Sequence, residues 1–462
     1  MNRFFQHWYD RFRTRYHSLR PAYALMVGYT VYVVITFVFL SLPICRKVQD
    51  VSHIDILFTS LATISTSGLQ TVPFADTYNF FGQVVVLLGI QVAGLGYMTL
   101  GSFVILASKG HILKNRLKIG QAVLAMPESF DQARFLHHIV VFTFSIELVG
   151  ALLLWVWFSQ AGTPHPLWAA IFHSISAFCT AGISIFPNNL ESYSDNAAVT
   201  FTIAVLSLLG GIGFIVMDDL YRSIKHEKLH TTLTTRIILT ATTGAVLVGT
   251  LFLFFDPHLI ELPLKKRFLT AFFQTVSAST TAGFHTLPIS NLASATLVIV
   301  IVLMILGASP SGTGGGLKST TWSAAFATIL SFFRGKDTIT FFGCQVPHSR
   351  TTAAFAAITL YLLTFAGGTY CLLLCDSHSF EQNVFEVASA LGTVGMSCGI
   401  TPELTFGGKI AIMILMYIGR MGVLSLALGA AALYHDISSD LYARFIEKEE
   451  DVPAVKKDDI VL

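Results

Sequence analysis

Long apolar runs alternate with shorter, Ser- and Thr-rich apolar stretches along most of this chain. The long runs occupy residues 22–44, 80–106, 138–159, 197–220, 237–256, 293–332, 353–374 and 408–433, the sixth interrupted near its middle. An α-helix needs about 20 such residues to cross a hydrocarbon core of about 30 Å. Eight spanning helices are therefore expected. Between the members of each successive pair lies a stretch too short to cross, ending in glycine. Such stretches suit re-entrant helices, which are tolerated at membrane depth only where they face protein or water. The expected fold class is an all-α polytopic membrane protein with eight transmembrane helices and four re-entrant helices.

Composition excludes a soluble domain, since 53% of the 462 residues are hydrophobic, only 12% are charged and the mean hydropathy is +0.66. A closed β-barrel would show a weaker, alternating pattern. Of the 29 Lys and Arg residues, 21 fall in 1–20, 107–137, 222–236, 334–350 and 434–462. Six lie on the opposite face: Arg46, Lys47, Lys265, Lys266, Arg267 and Lys409. Positive charge marks the cytoplasmic side, so both termini are expected there. The remaining two, Lys318 and Arg420, fall inside predicted spans. The basic, aromatic N-terminus has no small-residue cleavage motif after its first apolar run, and reads as an uncleaved amphipathic segment. The expected organisation is that segment over 1–21, repeat 1 over 22–106, a cytoplasmic loop over 107–137, repeat 2 over 138–220, a loop over 221–236, repeat 3 over 237–332, a loop over 333–352, repeat 4 over 353–433 and a tail over 434–462. Cys45, Cys179, Cys344, Cys371, Cys375 and Cys398 show no metal-ligand spacing and read as small core residues without disulfides.

The short stretches repeat one motif: "FTSLATISTSGL" at Phe58, "FHSISAFCTAGI" at Phe172, "FQTVSASTTAGF" at Phe273 and "FEVASALGTVGM" at Phe385. Each has Phe ten residues before a glycine and Thr two before it, and Gly68, Gly182, Gly283 and Gly395 are separated by 114, 101 and 112 residues. A single Thr-x-Gly reads as well as a helix cap as anything else. Four copies with one internal spacing favour a pore, because four such segments can surround an axis and turn backbone carbonyls inward. Rings of carbonyls replace the hydration shell of a monovalent cation, and the negative ends of four short helices add attraction. The tips Thr66-Ser67-Gly68, Thr180-Ala181-Gly182, Thr281-Ala282-Gly283 and Thr393-Val394-Gly395 contain no acid. Dipoles rather than fixed charge would then hold the ion, which points to potassium or sodium rather than a divalent cation.

The interruption reads "GASPSGTGGGLK", from Gly307 through Ser309, Pro310, Gly312, Gly314, Gly315 and Gly316 to Lys318. Proline removes a helix hydrogen bond and each glycine costs about 1 kcal/mol relative to alanine, so 307–318 is expected to be a loop. It must line water or pack on protein, and a polar loop beneath a cation filter suits a gate. It is not a phosphate-binding loop, because Leu317 separates Gly316 from Lys318 and a spanning run precedes it. Aligning the second spans places Gly94, Gly211 and Arg420 at one position, followed by Gly96, Gly213 and Gly422. Charge there is costly, so Arg420 is expected to face the pore and reach loop carbonyls rather than snorkel to the surface. Snorkelling stays open for Lys318. Glu147 is expected to pair with a neighbouring helix, Gln91 could line the pore, and Asp218 and Asp219 read as solvated or partner-facing.

These features, above all the four filter glycines, "GASPSGTGGGLKSTT" and "YIGRMG", resemble the Trk/Ktr/HKT superfamily of potassium transporters over residues 22–433. The absence of an extra pair of spans ahead of repeat 1 looks more like the KtrB branch than the TrkH branch. Glycine in all four tips is similar to potassium-transporting members rather than to plant relatives with serine in the first. The resemblance implies one pore per subunit with four span–pore helix–span repeats, and an intracellular constriction formed by the loop and Arg420. It also implies a homodimer in the inner membrane of a bacterium and a separate cytoplasmic nucleotide-binding regulatory ring. Potassium would be the transported ion, with sodium as a coupling or regulatory ion; no cofactor and no nucleic acid are expected. A cation-coupled alternating-access symporter is the alternative, and it would show two large related halves instead of four units. An intramembrane enzyme would need a nucleophile–base pair or ligand cluster within the spans, and none is legible.

Overall fold

The structure, a computed structural model, describes residues 21–107, 132–225, 231–335, 338–342 and 344–423, with residue 426. All but the last residue of the segment expected over 1–21, most of the loop over 107–137 and the tail over 434–462 lie outside the described residues. The chain divides into two compact units, Val27–Val423 and Met1–Met26 with Leu424–Leu462. Almost all of the described residues belong to the former.

Helices follow one another in four groups: α1 (Pro21–Ser41), α2 (His53–Ser65) and α3 (Phe80–Ala107); α4 (Gln132–Gln160), α5 (Pro166–Phe178), α6 (Ala197–Ile212) and α7 (Phe214–Ile224); α8 (Leu233–Phe254), α9 (Leu264–Ser279), α10 (Ser294–Leu306) and α11 (Ser319–Phe333); α12 (His348–Cys375), α13 (Phe380–Gly392) and α14 (Phe406–Met421). One two-residue antiparallel pairing, β1 (Thr340–Phe341) with β2 (Cys344–Gln345), precedes α12. Among the described residues, three helices are long and apolar enough to cross a membrane: the stretch His137–Gln160 of α4, α8 and α12. The pair α6–α7 makes a fourth if its 93° bend is read within one span. The expected continuous helix over 197–220 is thus corrected: it breaks at Gly213, whose φ of +88° ends α6. In the run over 408–433, α14 likewise ends at Met421, before Gly422 with φ +79°, and residues 424–425 and 427–433 lie outside the described residues. Residues 307–318 are not helical, as their proline and glycines require.

The short helices α2, α5, α9 and α13 start at built caps. Ser52 accepts from the Asp55 N–H, Pro166 occupies the first turn of α5, Pro263 precedes α9, and Ser379 with Gln382 forms a capping box. They hold 13, 13, 16 and 13 residues, so at 1.5 Å per residue three of them reach only about 20 Å. All four pack at the centre. The later helix of each group packs on the short helix of the next: α3 on α5, α6 on α9, α10 on α13, and α14 back on α2. That last contact closes a circle. Phe172, Phe273 and Phe385, the motif phenylalanines of groups two to four, are core residues of three clusters around it, and Phe58 is equally buried.

Candidate functional site

Each short helix ends in the same turn. Thr66, Thr180, Thr281 and Thr393 take the left-handed conformation, with φ between 49° and 58°. The next N–H, on Ser67, Ala181, Ala282 and Val394, donates to the carbonyl five residues back at 2.8–2.9 Å. This is the Schellman arrangement with threonine where glycine is usual. A non-glycine residue there costs about 1–2 kcal/mol, sustained only because the surroundings fix it.

Capping by threonine leaves the glycines unexplained, and their surroundings supply the reason. A methyl on Gly68 would strike the Ala181 carbonyl oxygen, one on Gly182 that of Ala282, one on Gly283 that of Val394, and one on Gly395 that of Ser67. The four turns therefore form a closed ring in which each glycine abuts the middle carbonyl of the next turn. Their φ values, from +64° to +100°, are ones only glycine adopts cheaply. Every residue of the ring is buried except the partly exposed Gly395. The Ser67 and Thr393 hydroxyls have no protein hydrogen-bond partner among the described residues. Four helix C-termini converge here, so the partial charge of the site is negative without any carboxylate.

The loop 307–318 lies directly against this ring. Its base is tied by Ala308 N–H to Gly315 O at 3.2 Å, Leu317 N–H to Ile305 O at 3.0 Å and Ser319 N–H to Ala308 O at 3.2 Å. At its tip the Thr313 hydroxyl donates to Phe178 O at 3.0 Å and sits 3.1 Å from the Thr180 hydroxyl. The Gly315 N–H donates to the Thr281 hydroxyl at 2.9 Å, and a methyl on Gly315 would collide with the Thr393 hydroxyl. Arg420, from the last turn of α14, donates to the Thr66 hydroxyl at 2.8 Å, to Thr313 O at 2.6 Å and to Ala93 O on α3 at 2.6 Å. All four ring threonines are thus touched by the loop or by Arg420. At the positions aligned with Arg420, Gly94 abuts Cys179 and Gly211 abuts Thr280, each next to a ring threonine. Arg420 instead carries a guanidinium that reaches the ring threonine itself, the loop and α3.

The TrkH family of cation transport proteins matches residues 11–440. The chain belongs to that family. It is 34% identical over 414 residues to Ktr system potassium uptake protein B of Bacillus subtilis, covering 88% of this chain and 92% of the relative. It is 33% identical to the protein of that name in Vibrio alginolyticus, covering 84% and 87%, and 30% identical to the potassium/sodium uptake protein NtpJ of Enterococcus hirae, covering 88% and 92%. The crystal structure of the potassium transporter TrkH from Vibrio parahaemolyticus shares its fold, with a TM-score of 0.65 at 20% identity over 87% of this chain and 84% of that one.

In this TrkH-family chain the loop also repairs the broken helix of the second group, which the sequence reading missed. A break leaves carbonyls free at one helix end and N–H groups free at the next. The carbonyls of Gly210 and Gly211 accept from Thr313 N–H at 3.1 Å and Ser309 N–H at 3.0 Å, and Ile212 O accepts from the Ser309 hydroxyl. The N–H groups of Phe214 and Ile215 donate to the carbonyl and the hydroxyl of Ser311, at 3.3 and 3.2 Å. Pro310 makes the intervening turn, Gly312 passes close to Gly211 O, and Gly307 and Gly316 cross at the base. The available signal was the alignment of Gly213 with Gly422, both of which end helices.

Other polar residues fall partly outside the site. Lys318 folds back onto Gly314 O at 2.7 Å instead of snorkelling outward. Glu147 accepts from Gln91 on α3 at 3.1 Å, so Gln91 faces this acid rather than the ring tips. Asp218 and Asp219 are buried, not solvated: Asp218 pairs with His138 at 2.6 Å and Arg222 at 2.9 Å, and Asp219 accepts from Thr232. Of the cysteines, Cys371 and Cys375 are exposed on α12, which corrects their reading as core residues.

Proposed function

We propose that this chain is the membrane subunit of a Ktr/Trk-type potassium uptake system, carrying the ion through one channel-like pore. The observation that carries this reading is the closed ring of Thr-x-Gly turns. Four strained turns, four convergent helix C-termini and orphaned hydroxyls are costly in a protein core and useful around a dehydrated monovalent cation. On this reading α2, α5, α9 and α13 are re-entrant pore helices, and the remaining helices make eight spans in the four repeats. The loop 307–318 and Arg420 are the gate, with a fixed cation that repels the transported one. Potassium is cargo, held by the middle carbonyls and the threonines; sodium is the coupling or regulatory ion. Two relatives are named as proteins of a Ktr system, which supports a separate subunit beside this one; we place that regulator at the cytoplasmic face of a bacterial inner membrane. A homodimer is part of the same reading. The symporter alternative loses ground because the four turns close one ring instead of dividing into two halves.

Rubidium and sodium uptake into liposomes containing the purified protein tests the reading. Rubidium should be favoured, Gly182→Ser should erode that preference, and Arg420→Ala should raise the rate. Absence of cation movement, or indifference to both substitutions, would return Thr-x-Gly to the role of a helix cap.

A further inference from the structure

One position in the short helices has a role that neither the ring nor the gate absorbs. Nine residues before each filter glycine stand Thr59, His173, Gln274 and Glu386, all buried in their helices. Three of them cross to the strand that leaves the filter. His173 Nε2 lies 2.8 Å from the Ser184 hydroxyl, two residues past Gly182. Gln274 Nε2 donates to the Thr286 hydroxyl at 3.3 Å, three past Gly283. Glu386 accepts from the Ser397 hydroxyl at 2.9 Å, two past Gly395, and from Thr401. Thr59 instead returns its hydroxyl to Asp55 O on its own helix, at 2.9 Å.

The three links are built differently but placed alike. The His173 ring is fully buried, fixed by Ala169 O at 2.8 Å from Nδ1 and by stacking on Phe186 at 4.4 Å. A carbonyl can only accept, so Nδ1 carries the proton and Nε2 accepts from Ser184. Glu386 uses both carboxylate oxygens, and its partners are themselves tied: the Thr401 hydroxyl lies 2.9 Å from that of Ser397, which also accepts from Gly399 N–H at 2.9 Å. A ring of carbonyls selects an ion only while its diameter and dipole directions are held. The Schellman turns fix the inner end of each strand, and these side chains fix the outer end.

We propose that His173, Gln274 and Glu386 are positioning residues that set cation selectivity by bracing the outer ends of three of the four filter strands, with Glu386 the strongest brace. The idea rests on the pore reading. In the first filter strand this position makes no such link, since Thr59 bonds within its own helix.

The test is the ratio of rubidium to sodium uptake by the full chain in liposomes, with Gly395→Ser as reference. A buried hydrogen bond contributes about 1 kcal/mol, so Glu386→Ala and Ser397→Ala should each lower the ratio about fivefold while the rubidium rate stays within about twofold. Glu386→Gln, which keeps an acceptor oxygen, should recover most of the ratio, and Thr59→Val should not change it. Ser397→Ala removes one oxygen from a loop, so it keeps the test decisive if Glu386→Ala fails to fold. An unchanged ratio in Ser397→Ala beside a lowered one in Gly395→Ser would overturn the brace alone. An unchanged ratio in Gly395→Ser as well would remove the ring from the ion path and the brace with it.

Discussion

The centre and the periphery of this molecule reverse the pattern of a water-soluble protein. In α2 the side chains of Ser60, Thr63 and Ser65 are fully buried, whereas on α8 and α12 Leu247, Leu251 and Leu363 are 66%, 58% and 65% exposed. Burial in water follows apolarity; here the outer surface meets an apolar solvent and needs no hiding. The polar centre must then be satisfied from within, and the structure does this by local returns. Ser60 and Thr63 donate to carbonyls four residues back, at 2.7 Å each. Among the buried hydroxyls left without a protein partner are two in the ring itself, Ser67 and Thr393. The comparison teaches that this fold keeps its polar residues at the centre and its apolar ones outside, which is the arrangement the proposed ion path needs.

Substitutions at the centre should break this contrast most strongly. Gly283→Val would place a branched side chain at φ +79° against the Val394 carbonyl, and should abolish uptake and lower the yield of folded protein, read by liposome flux and size exclusion. Next comes Arg420→Ala, which removes three hydrogen bonds from a charged donor. At about 1.5 kcal/mol or more for such a bond, it should lower thermal stability by several degrees while raising the rubidium rate about tenfold. Ser311→Ala loses only the link to Ile215 N–H; a loss of about 1 kcal/mol and a rate increase of about twofold are expected, since the loop is then held less firmly to the α6–α7 break. Leu363→Ala on the exposed face of α12 should be nearly neutral, within about 0.5 kcal/mol in thermal unfolding.

The connection between α8 and α9 sharpens the comparison by pH. Burial opposes ionisation of Asp256, but hydrogen bonds from Thr296 and from the N–H groups of Ala293, His258 and Leu259 outweigh it and hold its pKa below the usual carboxylate value. A depressed folded pKa contributes stability that is present above the unfolded value, about 3.9, and is lost as pH falls through the folded one. Wild type should therefore lose stability below about pH 4 more steeply than Asp256→Asn, as followed by thermal unfolding against pH.

The repeated motif was legible because its residues carry local physics. Glycine ten residues after phenylalanine and two after threonine survives four times, and 307–318 announces itself by composition. The place of Arg420 against the loop followed from the cost of its charge inside a span. Three things were not legible, for physical reasons. Gly213 looks like many glycines in apolar helices, and its 93° bend depends on Ser309, Ser311 and Thr313 arriving from a distant segment to cap both ends. Asp218 and Asp219 read as either solvated or partner-facing, and only the fold, by bringing His138, Arg222 and Thr232 to them, decides between the two. The order of the ring, each glycine against the next carbonyl, is a tertiary relation that no spacing encodes.

Diffraction from crystals soaked in rubidium, with data collected at the rubidium absorption edge, tests the central claim most directly. Anomalous peaks on the axis among the carbonyls of Ser67, Ala181, Ala282 and Val394 are predicted, displaced when potassium replaces rubidium and weakened in Gly395→Ser. Rubidium bound only elsewhere, with the ring empty at saturating concentration, would contradict it.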